Sequence, residues 1–364
     1  MITLDTIPAS IRKPGVYMEF NTSLAVRTLP SNAQSICLIV PLDASATAVA
    51  LVAGQVFSAD EAKTKFGAVA AEMVAAIIAT YRYAAVSCIG VTVTGSTEPD
   101  LAPALAALAL GGYTILVPAW FSQTALTAVR AHINTYTNSV EQQSILGVGA
   151  VVTTLSAATA LAASLNSGAI TLAVLPGTTA TARQVAAAYA AMIASEEDPA
   201  RPLNTLALTG IPVPPVASRL GRTEQEACLA NGVTPLEVGA GDVVQIVRAV
   251  STYTKNAAGA SDVALLDLTT IRTLYYVRQA CRDRIRLRFP RSKLSSKTPA
   301  AVRGELLDVL KKCEELEIVE NVDANADALI VERSTQDINR LNASIPTDVV
   351  NGLHVFAGRI DLLL

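Results

Sequence analysis

Short apolar runs alternate with alanine-rich stretches from about residue 35 to residue 195, and this alternation restricts the fold more than any other feature of the chain. Runs of this length that are rich in β-branched residues are typical of buried strands. Strands are predicted at 36–40, 86–93, 113–120, 144–152 and 170–175, and helices at 59–80, 99–110, 122–138, 156–165 and 180–195. The sequence therefore predicts an α/β fold in which helices cover a mainly parallel sheet.

The pattern changes between residues 196 and 220, where five prolines interrupt it. Prolines at this density are typical of an irregular connection, so a domain boundary is predicted near residue 200. Beyond it we predict helices at 223–230, 267–288 and 299–317, a long strand at 243–254 and short strands at 328–332 and 353–364. The C-terminal part is therefore expected to be of the α+β class.

Charged residues make up only 16% of the 364 residues, against about 25% in average soluble chains. So low a fraction of charged residues is typical of a protein that buries much of its surface against copies of itself, or of a large apolar enzyme. The net charge of −3 argues against a chain built as a whole for nucleic acid. Two long uncharged runs are broken by glycine and proline, which favours buried strands over membrane spans.

Residues with obvious chemistry are few. The five cysteines are at least 32 residues apart, and the first fifteen residues lack an apolar leader, so we expect reduced thiols in a cytoplasmic compartment. The two histidines, His132 and His354, are isolated, so no metal site is expected. Gly147 and Gly149 follow a predicted strand, but the rest of a dinucleotide fingerprint is missing. A soluble α/β enzyme or nucleotide-binding protein that uses this glycine turn is the alternative interpretation.

Charge is segregated along the second half of the chain. Nine basic residues and one acid lie between Arg272 and Lys297, and eight acids and two lysines lie between Glu305 and Asp327. Such blocks are predicted to attract each other, within one subunit or between neighbours.

The basic block contains a predicted helix with two different faces. Four residues at helical spacing are expected to pack on a core: Ile271, Leu274, Cys281 and Ile285. The adjacent face carries Arg278, Arg282 and Arg286, which suit an acidic partner, a solvated surface or, as a third interpretation, nucleic acid.

Both ends of the chain look like strands without a partner. RKPGVYMEF (12–20) alternates apolar and other residues after a Pro-Gly turn, and the final twelve residues are unusually apolar for a terminus. A lone strand leaves its backbone groups unpaired, so each end is expected to add to a sheet, its own or a neighbour's. Addition to a neighbour, repeated without closing, generates a helical filament.

Four segments carry a resemblance to a known family: PGVYMEF (14–20), ACLANGVTPLEV (227–238) with the following VVQIVRAVSTYT, the run from 265 to 294, and GLHVFAGRIDLL at the end. In these segments the chain resembles the contractile tail sheath proteins of bacteriophages, most closely the phage Mu-like branch, and is similar to R-type pyocin sheaths. Many sheath proteins carry inserted outer domains for which this chain has no room, so the resemblance implies a minimal sheath.

The resemblance implies a structural protein with no cofactor and no enzymatic activity, whose subunits stack as rings in a helical array around a tail tube. The array shortens without nucleotide hydrolysis and drives the tube through the host envelope. Implied partners are other copies of the chain, the tube protein, and baseplate and tail terminator proteins, but neither nucleic acid nor an inserted membrane. The implied location is the virion tail, after assembly in the cytoplasm of the host bacterium.

The resemblance also implies an organisation and a set of contact residues. The division is an N-terminal extended arm (1–31), an outer α/β domain (32–200), an inner C-terminal domain (201–350) and a C-terminal arm strand (351–364), and neighbours' arms complete the small sheet of the inner domain. The arm positions are Val16, Tyr17, Met18, Glu19 and Phe20 at one end, and Val355, Phe356, Ile360 and Leu362 at the other. Candidates for tube contact are Lys311 and Lys312, and as second choice Arg282 and Arg286.

Overall fold

A computed structural model describes residues 29–95 and 97–363, together with Lys13, Gly15 and Met18. Of the predicted N-terminal arm, Met18 is therefore described and is 86% exposed. The other arm positions, Val16, Tyr17, Glu19 and Phe20, lie outside the described residues.

One eight-stranded sheet forms the larger part of the molecule. Its strands are β1 (Ser35–Pro41), β2 (Ala53–Gln55), β3 (Ala85–Val91), β4 (Ile115–Pro118), β5 (Leu146–Val151), β6 (Ile170–Val174), β7 (Thr234–Gly239) and β8 (Val243–Ile246). They lie in the order β2-β3-β1-β4-β5-β6-β7-β8. The six inner strands are parallel, and the edge strands β2 and β8 are antiparallel to their neighbours. The predicted fold class is confirmed.

Most of the helices pack on this sheet because each buries apolar side chains against a strand, while the short first helix packs on the second. They are α1 (Ala59–Lys65), α2 (Ala68–Thr80), α3 (Ala102–Leu108), α4 (Gln123–Tyr136), α5 (Leu155–Leu165), α6 (Ala182–Ser195) and α7 (Arg222–Ala230). Serine or threonine caps begin four of them, and each side chain accepts a hydrogen bond from the first turn, as at Ser122 of α4.

The single helix predicted over 59–80 is wrong, because the chain breaks at Gly67. Gly67 has φ +120°, a conformation that disfavours other residues, and a Cβ there would lie 2.2 Å from the Asp43 carboxyl group. That carboxylate accepts a hydrogen bond from the Ala68 amide at 2.9 Å and so satisfies the start of α2. Two helices therefore replace one.

The strand predicted over 243–254 is also shorter than expected, since β8 ends at Ile246. Beyond it the backbone finds other partners: the Ser251 amide donates to the Leu266 carbonyl, and the Thr252 amide donates to the Ile170 carbonyl. Both β7 and β8 follow the predicted domain boundary near residue 200 and still belong to the main sheet. The division of the chain at that residue stays a prediction.

A smaller C-terminal unit surrounds the long helix α8 (Leu268–Arg288). It contains α9 (Thr298–Glu315) and the short strands β9 (Val319–Glu320), β10 (Ile330–Arg333), β11 (Leu341–Ser344) and β12 (Asp348–Val349). β10 pairs with β11 and β12 pairs with β9, both antiparallel. The first turns of α8, up to Tyr275, contribute to the core of the sheet domain, and the helix from Tyr276 onward contributes to a separate core with α9.

Candidate assembly surfaces

Two arginines of α8 hold the C-terminal unit against the sheet domain. Arg278 donates to the carbonyl oxygens of Thr137 and Gln143, both at 2.7 Å, and Arg282 donates to the Gln142 carbonyl at 3.1 Å. Burial lowers the pKa of Arg278. A candidate for tube contact, Arg282, is thus half-buried and bonded to the chain that follows α4, whereas Arg286 is exposed.

A buried ion pair joins α8 to α9. The Arg284 side chain is 3% exposed, and its Nη1 donates to Asp308 Oδ2 at 2.5 Å and to Glu305 Oε2 at 3.1 Å. One turn on, Arg288 Nε donates to Glu305 Oε1 at 3.2 Å. These pairs connect the end of α8 to the first half of α9, so the two helices run antiparallel. The predicted attraction between the basic and acidic blocks is therefore realised within one subunit at these residues.

An apolar groove of about 670 Å³ lies between α8, α9 and the ribbon formed by β10 and β11. Its walls include Val277, Cys281, Phe289, Val302, Leu306 and Leu341. Cys281 is buried and Ile271 and Ile285 are partly buried, as predicted for the apolar face of α8. Leu274 departs from that prediction, because it is 36% exposed at the wall of the groove and not in a core.

The ribbon beside the groove has open edges. Among the described residues, β10 pairs only with β11, so the outer edge of each strand offers unpaired backbone groups. A two-stranded ribbon is marginally stable alone and is a template for an added strand. Sequence reasoning found β10 but missed β11, since LNAS has no alternation strong enough to indicate a strand.

The last residues of the described chain are apolar and exposed. Val355, Phe356, Ile360 and Leu362 are between 78% and 99% exposed, and 350–363 forms no strand with any described residue. The expectation that this segment adds to a neighbour's sheet stays a prediction. Single large apolar residues at a surface are ordinary, but a run of them at a terminus is a candidate contact surface.

His354 fixes the point where this segment leaves the body of the protein. The Asn204 amide Nδ2 lies 2.9 Å from His354 Nδ1, and His354 Nε2 lies 3.4 Å from Asp267 Oδ1. Asp267 is held in turn by Arg248 at 2.6 Å. Burial lowers the pKa of His354, as it lowers the pKa of His132 beside Tyr136. Each histidine thus has a packing role.

The two lysines predicted to contact a tube lie on α9 and pair within the chain. Lys311 Nζ is 2.7 Å from Asp323 Oδ1, and Lys312 Nζ is 3.6 Å from Asp308 Oδ2. Lys311 keeps 46% of its side chain exposed and Lys312 27%. Both therefore remain partly accessible, and their contact with a tube stays a prediction.

Gly147 and Gly149 do not form the turn that the enzyme interpretation requires. Gly147 and Gly149 lie inside β5, and a Cβ at Gly149 would come within 2.7 Å of the Leu172 side chain, so close packing explains them. Within the described ranges, no group of three His, Cys, Asp or Glu side chains could hold a metal ion. Among the same residues, no helix has the length and apolar character that crossing a bilayer requires.

Comparisons with known proteins agree with this architecture. Residues 94–252 match the model of the phage tail sheath protein central domain, and residues 260–362 match that of the phage tail sheath C-terminal domain, together more than two thirds of the chain. The Mu-like prophage FluMu tail sheath protein of Haemophilus influenzae is 35% identical over 192 residues, 49% of this chain and 39% of that protein. The alignment thus spans less than half the length of this relative.

Solved structures show the same fold at low sequence identity. A sheath tail protein from Desulfitobacterium hafniense is 11% identical with a TM-score of 0.65, and the match covers 93% of this chain and 97% of that one. The anti-feeding prophage helical sheath in its contracted state is 15% identical with a TM-score of 0.61, covering 96% of this chain and 98% of that one.

Proposed function

The chain belongs to the phage tail sheath family, and on that basis we propose that its copies polymerise into stacked rings around a tail tube. The observation that carries this proposal is a pair of complementary features on one molecule. The ribbon β10–β11 offers open strand edges beside an apolar groove, and the C-terminal segment is an apolar strand candidate without a partner. Exchange of such segments between copies would satisfy both.

The terminal arms are the proposed connections between subunits. A C-terminal segment from one neighbour, through Val355, Phe356, Ile360 and Leu362, would extend the β10–β11 ribbon of the next copy and bury its apolar side chains. The N-terminal arm of another neighbour, through residues 16–20, would complete the same small sheet. Four paired strands over an apolar groove form a stable unit, which two strands alone do not.

Contraction would be a change between two packings of the same chain. The two units of each subunit are joined by Arg278 and Arg282 and would move nearly as one body, while the arms act as hinges. Better-buried contacts in the shortened array would supply the driving force, without nucleotide hydrolysis, and would push the tube through the host envelope. Baseplate and tail terminator proteins would hold the ends of a virion tail assembled in the host cytoplasm.

Negative-stain electron microscopy of the purified full-length chain, across a range of protein and salt concentrations, tests this function. Hollow tubes of uniform diameter are expected, alone or on co-expression with the tube protein of the same particle. Discrete small particles under every condition, with and without that tube protein, would contradict the proposed polymer.

Tube contact is proposed for α9 through Lys311 and Lys312, with Arg282 and Arg286 of α8 as the second candidates. Charge reversal of both lysines to glutamate should release an acidic tube while sheath tubes still form, because exposed charges set encounter and register more than fold. Co-sedimentation of tube and sheath measures this. Attachment that survives this reversal and is lost with Arg286→Glu would transfer the contact to α8.

A further inference from the structure

Three cations lie together at one end of the α8–α9 pair. Arg291, Lys293 and Lys297 belong to the connection between the helices, and all three are exposed. Within the part of the chain that the structure describes, none of them forms an ion pair, whereas Arg284 and Arg288 nearby are paired with α9. This basic end (Arg291, Lys293, Lys297) therefore presents its full charge to the outside.

Three carboxylates lie at the opposite end of the same helix pair. Glu315 is the last residue of α9, Glu317 follows it, and Glu320 belongs to β9, directly opposite Asp348 of β12. No ion pair forms at these three glutamates within the described residues. A carboxylate at a helix C-terminus also opposes the helix dipole, so Glu315 gains nothing from its own helix. The neighbouring lysines, Lys311 and Lys312, pair with Asp323 and Asp308 instead, so this acidic end (Glu315, Glu317, Glu320) keeps a net negative charge.

The two ends are too far apart to neutralise each other in one subunit. The 18 residues of α9 separate them, which corresponds to about 27 Å at the rise of an α-helix. Exposed charges are screened over about 8 Å at physiological ionic strength. The basic and acidic blocks therefore pair with each other only where α8 and α9 are in contact. The charges of the basic end and of the acidic end are left for a contact outside the subunit.

We propose that the basic end of one copy docks on the acidic end of the next copy, head to tail. Opposite charges on opposite ends of one rigid helix pair fit a second copy of the chain, whereas two identical patches placed face to face would repel. A head-to-tail contact repeats into a ring or a helix, never into a closed two-fold dimer. Such a contact sets the register between subunits, and it rests on the polymer proposed above.

Charge exchange tests the contact directly. One variant reverses the basic end (Arg291→Glu with Lys293→Glu), a second reverses the acidic end (Glu315→Lys with Glu320→Lys), and a third carries all four substitutions. Each single reversal should raise the protein concentration needed for tube formation by about tenfold or more at low salt, since like charges then face each other. The variant with all four substitutions should form tubes at a protein concentration within about threefold of that of the unmodified chain, because its ends are complementary again.

Two controls distinguish loss of this contact from a general effect of net charge or of unfolding. Lys63→Glu with Arg82→Glu makes the same change of net charge as the basic-end reversal, at exposed positions of the sheet domain, and should leave tube formation unaltered. Thermal unfolding of every variant reports whether the monomer is intact. Single reversals that polymerise normally, or a well-folded fourfold variant that does not recover, would overturn the contact. A basic-end reversal that only releases the tube would also overturn it and assign that end to the tube.

Failure of the polymer itself is distinguishable. If the unmodified chain forms no tubes, the proposed function fails. A mixture of the basic-end variant and the acidic-end variant then still tests whether the two ends bind each other. One partner is then acidic at both ends and the other basic at both ends, so sedimentation velocity should show salt-sensitive association of the mixture and none of either variant alone. A mixture without association would overturn the contact.

Discussion

Deletion of residues 355–364 should leave a folded protein that remains monomeric at concentrations where the full-length chain forms tubes. The segment forms no strand with any described residue, and its apolar side chains are almost fully exposed, so neither core loses a contact. His354 and its contact with Asn204 are retained. The midpoint of thermal unfolding is therefore expected to change little, while the strand that a neighbour's ribbon needs is gone.

A matched pair of substitutions sharpens this experiment. Ile360→Asp with Leu362→Asp should reproduce the truncation, because burying two carboxylates in an apolar groove is unfavourable. Arg359→Gln with Asp361→Asn removes an exposed ion pair of 2.6 Å from the same segment and should leave the polymer intact.

Deletion of residues 1–20 is expected to give monomers as well. Tubes from both truncated chains would refute the exchange of arms.

The sheet domain was predictable because its strands are covered by helices on both faces. Parallel strands of this kind are continuous apolar runs, as in ICLIV (36–40), and each strand predicted between residues 35 and 195 lies within two residues of its observed bounds. The edge strand β2 and the strand β7 were missed, since three residues of AGQ and a run that contains Pro235 carry no such signal. Gly67 was missed because its conformation depends on Asp43, which is distant in sequence.

The assembly surfaces were predictable only in part, because they depend on tertiary contacts. An apolar run at a terminus is visible in the sequence, and so is the segregation of charge. Which charges pair is not visible, since Arg284 meets Glu305 and Asp308 only through the crossing of α8 and α9. The groove exists because β11 lies beside that crossing, so the exposure of Leu274 could not be read from helical spacing alone.

Replacement of Arg284 by methionine should destabilise the folded chain by about 3 kcal/mol or more, because it leaves carboxylates next to a core without their main partner. The Arg284 side chain is 3% exposed, and Glu305 is 12% exposed. Methionine keeps much of the volume of the arginine side chain, so the lost free energy of unfolding reports on charge more than on packing. The free energy of unfolding, measured with a chemical denaturant, is the relevant quantity.

Arg288→Met is the matched control, because Arg288 meets the same Glu305 from a site that is 33% exposed. Partly solvated ion pairs contribute about 1 kcal/mol or less, so the free energy of unfolding of this variant should be close to that of the unmodified chain. Adding Glu305→Leu and Asp308→Leu to Arg284→Met should recover part of the lost free energy of unfolding, since no carboxylate then faces the site that the Arg284 guanidinium occupied. Equal effects of the two arginine substitutions would show that burial does not control this pair. Recovery in the threefold variant would show that the cost arises from carboxylates that have lost their main partner and not from the missing guanidinium. A single substitution cannot make this distinction.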